Sequence, residues 1–92
     1  KRVIAILQGN SSSMSSNWNQ RYRTNMDKMK SGSIFLVAEV VRNLSILDRD
    51  KGLSTGERKM LDVARQILVS ELVLVNEATE EQMETFVLNC FA

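Results

Sequence analysis

Apolar residues recur along most of this chain at intervals of three and four, the period of a helix rather than of a strand. The first group, Val3, Ile4 and Leu7, predicts a short helix, or the tail of one, over residues 3–8. The stretch from Gly9 to Ser16 is rich in Ser and Asn and has no apolar period, which predicts a flexible loop over 9–16. A helix should then start at Asn17, because Asn is a strong N-cap and Gln20 falls three positions later, where a capping box requires it. That helix is expected to run to about Lys30. Trp18, Tyr22 and Met29 form one stripe along it with Met26 on the flank, while Arg21, Arg23, Lys28 and Lys30 point elsewhere.

Ser31-Gly32-Ser33 interrupts the pattern, and Ser33 is the expected cap of a third helix lasting to about Asp50. Its apolar positions Ile34, Val37, Ala38, Val41 and Leu44 keep the helical period, and Phe35, Leu36, Val40 and Leu47 widen the face until the helix is nearly surrounded, so it should be central. Gly52 punctuates next. Ser54-Thr55-Gly56-Glu57 is a capping box opening the longest helix, to about Val75, with Met60, Leu61, Ala64, Ile67, Leu68, Leu72 and Val75 on its buried face. Thr79 with Gln82 repeats the capping box for a last helix carrying Met83, Phe86, Val87, Cys90 and Phe91. The expected fold is therefore all-α, a compact single domain of about five helices over residues 1–92.

Composition supports this reading and narrows the function. Hydrophobic residues make up 43% of the 92 and charged residues 25%, a balance that suits a packed core rather than disorder. There is no proline and there are four glycines, so little in the chain can break a helix or form a tight hairpin. No apolar stretch approaches the roughly 20 residues that cross a bilayer, and no membrane partner is expected. The single cysteine, Cys90, reads as a core thiol and suits a reducing cytoplasm. Lys1 and Arg2 precede too short an apolar run for a secretory signal, and without an initiator methionine the sequence reads as a piece of something longer.

Catalytic chemistry finds no foothold in these residues. Histidine is absent, which removes the usual general base, the usual zinc ligand and any His-activated nucleophile. Asp48, Asp50 and Gly52 echo a calcium loop faintly, but the glycine comes one position early and no acid fills the twelfth position. No glycine-rich phosphate loop occurs. The expectation is a non-enzymatic domain with no cofactor and no metal.

Charge is where the sequence becomes informative. The net charge is +1, yet all twelve Lys and Arg lie before Val69 against six acids, while the remainder carries Glu71, Glu77, Glu80, Glu81 and Glu84 unopposed. A basic body with an acidic end can orient on a polyanion. Arg21 and Arg23 sit near the start of one helix, and Arg58 and Lys59 in the first turn of another. Cations there oppose the positive end of the helix dipole, and a polyanionic partner relieves that conflict. Trp18 has two readings, an anchor to the core or a contact surface. The basic residues likewise have two, a solvated surface or phosphate contacts.

Several ordered blocks carry a more specific signal. Asn17-Trp18, Arg21-Tyr22-Arg23, Asn25-Met26, Ser31-Gly32, Val37 to Arg42, Gly52 to Leu61, Ala64 to Leu68 and Glu71-Leu72 together resemble the CarD/CdnL family of bacterial transcription regulators. The resemblance covers nearly all of the chain from Asn17 onward and implies the helical C-terminal DNA-binding half of a two-domain protein. In that family a Tudor-like N-terminal domain, absent from this sequence, holds the β subunit of RNA polymerase. The helical half meets promoter DNA at the upstream edge of the melted region. By position, Trp18 would wedge into the minor groove and Arg21, Arg23 and Arg58 would contact the phosphate backbone, with Lys59 joining them by adjacency. Gln20 stands where the family often has a basic residue, which removes one expected contact. Such a protein would work in the bacterial cytoplasm at the nucleoid. Two alternatives from other classes are a helical protein-interaction module with a basic face and a helix-turn-helix reader starting at Ser54.

Overall fold

Four side chains fix where the helices begin. In the computed structural model, which describes residues 2–9 and 17–91 (for Arg2 and Trp18 the backbone alone), Asn17, Ser33, Ser54 and Thr79 each accept a hydrogen bond from the backbone N–H three residues on. These bonds satisfy donors that a helix start otherwise leaves open. The helices are α1 (Arg2–Gln8), α2 (Trp18–Lys30), α3 (Ile34–Asp50), α4 (Thr55–Asn76) and α5 (Glu80–Asn89), with no strand among the described residues. Starts and types match the sequence reading. Of the expected 9–16 loop, residues 10–16 lie outside the described part.

Helix α3 is the hub. Val37, Ala38, Val40, Val41, Arg42, Asn43 and Leu44 are all buried, a run that winds fully around the helix because α1, α2 and α4 cover it from different sides. Helix α4, at about 1.5 Å per residue, has 22 residues, or about 33 Å, and nearly spans the 39 Å long axis. It buries Met60, Leu61, Ala64, Leu68, Val69 and Leu72. Ile67 and Val75, expected on that face, are 43% and 63% exposed. The far half of α4 is covered over a narrower arc than the pattern suggests, and Val69 takes the inward place. Helix α5 lies against α4 at the edge and buries Val87, with Met83, Phe86, Cys90 and Phe91 half-buried against the core. The Cys90 thiol is partly enclosed, and burial pushes its pKa up. The unbroken length of α4 also places no turn near Gln66, where a helix-turn-helix reading needs one.

Two polar features tie the ends of helices down. The Arg42 guanidinium, buried in α3, donates through Nη1 to the Ile6 carbonyl at 3.2 Å and through Nε to Asn43 Oδ1 at 3.1 Å. It places a positive charge at the C-terminal end of α1, the favourable end for one. Helix α4 closes on Glu77, which takes a left-handed conformation at φ 52°. Glycine is the residue that adopts this geometry without a steric penalty. The variant Glu77→Gly is therefore expected to gain about 0.5 to 1 kcal/mol of stability, read as a higher urea midpoint. A lower midpoint would mean that the extra freedom of glycine in the unfolded chain outweighs the relief.

Candidate nucleic-acid interface

The basic helix starts that the sequence singles out are neighbours in space. Arg21, in the first turns of α2, reaches across to Glu57, the third residue of α4, thirty-six positions later. Its Nε donates to Oε2 at 2.6 Å and its Nη2 to Oε1 at 3.0 Å. This is the two-pronged arrangement in which a planar guanidinium matches a carboxylate best. The Glu57 side chain is 1% exposed and that of Arg21 14%. Ser54 completes the carboxylate's shell: its Oγ and its backbone N–H both donate to Oε1, while its Oγ accepts from the Glu57 N–H. One carboxylate thus closes the capping box of α4 and fastens α2 to it. The hydrogen bonds from Arg21 hold the Glu57 carboxyl below the usual carboxylate range, those from Ser54 assist, and the opposing effect of burial is outweighed. The Arg21 pKa is raised by the same bonds.

This changes the reading of Arg21. The sequence pattern turned it away from the interior with the other cations, whereas the structure folds it inward onto Glu57. A helical wheel places residues relative to their own helix and carries no information about an acid on another. Arg23, by contrast, is exposed on α2 and Lys59 is exposed on α4, and neither forms an ion pair among the described residues. Arg58 is exposed and bonds Asp48 at the end of α3, Nη2 to Oδ1 at 2.6 Å. A pair so open to water contributes little and is readily exchanged for another anion. Lys28, also expected to point outward, is paired with Glu39 of α3 at 3.1 Å.

Between α2 and α4 runs a shallow, mainly apolar groove lined by Tyr22, Met26, Met29, Met60 and Val63, with Lys59 beside them. The stripe read from sequence is therefore shared: Tyr22, Met26 and Met29 rest against the core and also form one wall of this groove. Trp18 is the first residue of α2, and its ring lies outside the described structure. The first turn of α2 contains no acid. Among the described residues no cluster of His, Cys, Asp and Glu has the form of a metal site, and no helix is long and apolar enough to cross a membrane.

The family model for the CarD C-terminal domain matches residues 2–88. The chain belongs to the CarD C-terminal domain family. A protein of Bacillus subtilis (strain 168) named "Putative transcription factor YdeB" is 42% identical over 86 residues, which is 94% of this chain and 56% of that protein. This CarD domain thus spans little more than half the length of that relative. Sequence reasoning placed the family and the basic helix starts, but it missed Glu57 as part of the site. A glutamate at the third position of a capping box reads as a helix start and nothing more.

Proposed function

We propose that this CarD domain belongs to a transcription regulator, holds promoter DNA at the upstream edge of the transcription bubble and keeps the melted state open. Trp18 serves as a wedge in the minor groove, and Arg23, Arg58 and Lys59 contact the phosphate backbone. RNA polymerase is engaged through its β subunit by a Tudor-like N-terminal domain of the longer protein. The observation that carries this reading is the Arg21–Glu57 bridge. It seats the start of α2, which carries Trp18 and Arg23, against the start of α4, which carries Arg58 and Lys59. Family membership and the printed name of the B. subtilis relative support it. An aromatic wedge gains contact only where the duplex is already distorted, while phosphate contacts fix its register.

Three phosphate contacts predict that log affinity for a forked duplex falls against log salt with a slope of about −2.7. Counting Arg21 as a fourth makes that slope about −3.6. Replacing Lys59 or Arg23 with glutamine should weaken binding to all sequences alike and flatten the slope by about 0.9 each. A salt-independent affinity would remove DNA as the partner.

One observation favours a protein-interaction module instead. Val63, Ile67 and Leu74, four and seven residues apart and so along one stripe of α4, are 50%, 43% and 76% exposed, and a continuous exposed apolar stripe marks a contact surface. Partner capture that survives nuclease treatment, with no shift of forked DNA, would select that reading.

A further inference from the structure

We infer that Arg21 and Glu57 act in DNA binding as positioning residues, setting the geometry of the interface without touching DNA. This inference rests on the DNA reading above and gives Arg21 a different part from the one its sequence position implies. Arg21 stands, by sequence, where a phosphate contact is expected. Yet both prongs of its guanidinium that face α4 are spent on a carboxylate that is itself 1% exposed. Nε and Nη2 are held there, because withdrawing them would leave Glu57 as a buried charge without its ionic partner, which is costly, and at 14% exposure little of the side chain faces outward. The pair therefore stays closed and its product is a fixed relation between two helix starts. Arg23 is two residues beyond Arg21 on α2, and Arg58 and Lys59 follow Glu57 directly on α4. The spacing of Arg23 from Arg58 and Lys59 holds only if α2 and α4 keep their relative placement, and the bridge is a two-pronged polar bond that joins these two ends.

The two roles predict opposite responses. A glutamate that is only a negative charge near DNA repels it, so Glu57→Gln should tighten binding if the bridge has no part in the site. As a positioning residue its loss weakens binding. An arginine that touches phosphate contributes to the salt slope, and Arg21→Lys, which keeps the charge, should leave both affinity and slope nearly unchanged. A positioning arginine loses its two-pronged geometry on replacement by lysine and binding weakens.

The experiment is a salt titration of the full chain against a labelled forked duplex, followed by fluorescence anisotropy, for the wild type, Glu57→Gln and Arg21→Lys. The folded fraction of each is measured by circular dichroism under the same conditions. The expected result is affinity reduced by about 2- to 30-fold in both variants, after correction for the folded fraction, with the slope of the wild type retained. Tighter binding by Glu57→Gln, or unchanged binding by both variants, overturns the inference while leaving the DNA reading intact. A wild-type affinity that ignores salt overturns the DNA reading itself and the inference with it. Arg21→Lys keeps one ionic bond within reach of Glu57, so it retains the fold if Glu57→Gln does not.

Discussion

Replacing Glu57 with alanine is expected to lower the unfolding free energy by about 3 to 5 kcal/mol. Three losses coincide there. The Arg21 guanidinium, 14% exposed, loses both of its bonds to the carboxylate. Ser54 loses the acceptor for two donors. The first turn of α4 loses half of its reciprocal cap, an effect of about 1 kcal/mol by itself. Urea unfolding followed at 222 nm reads the change. A loss below about 1 kcal/mol, the range of an exposed ion pair, would show that the bridge has no structural role. Removing both partners together, as Arg21→Met with Glu57→Leu, should cost much less than Glu57→Ala, because no buried charge is stranded.

The same carboxylate gives the stability a pH dependence of definite sign. Its pKa in the folded state is lowered, whereas in the unfolded chain it lies near 4.3. The stabilisation is fully present above the unfolded value and is lost as pH falls through the folded one. The domain should therefore weaken below about pH 4.3, and Glu57→Gln should flatten that decline. Arg21, with its pKa raised, stays charged throughout this window and adds no slope.

Replacing Trp18 with alanine in the full-length protein should shorten the lifetime of the promoter open complex by about 5- to 150-fold. Stacking of a base on an aromatic ring contributes about 1 to 3 kcal/mol by alanine substitution, and each 1.36 kcal/mol is tenfold in rate. The fold should be spared, since the cap of α2 is made by the Asn17 side chain, which accepts from the Gln20 N–H at 3.1 Å. Equal unfolding midpoints in the two proteins separate the wedge from a stability effect. An unchanged lifetime at saturating protein would eliminate Trp18 as the wedge.

What the sequence made legible were the features written locally. Asn17, Ser33, Ser54 and Thr79 announce helix starts because a cap is a bond between residues three apart, and all four caps form. The central place of α3 was equally plain, since few helices carry apolar residues all the way round without being enclosed. Burial along α4 was less legible. Period alone marks an arc, while the width of the covered arc depends on how many neighbours lie alongside, so Ile67 and Val75 emerge into solvent. The basic residues at the helix starts were legible one by one, but the inward turn of Arg21 was not. No pattern within α2 says that Arg21 faces an acid on α4, because that pairing is decided by how three helices cross.

The Arg21–Glu57 bridge also constrains how this fold can drift over evolutionary time. A lineage that lost the acid alone would strand a cation, and one that lost the cation alone would strand an acid, so neither single step is neutral. Positions 21 and 57 are accordingly bound to a common fate, and exchange for an uncharged pair is open only to descendants that accept both changes at nearly the same moment.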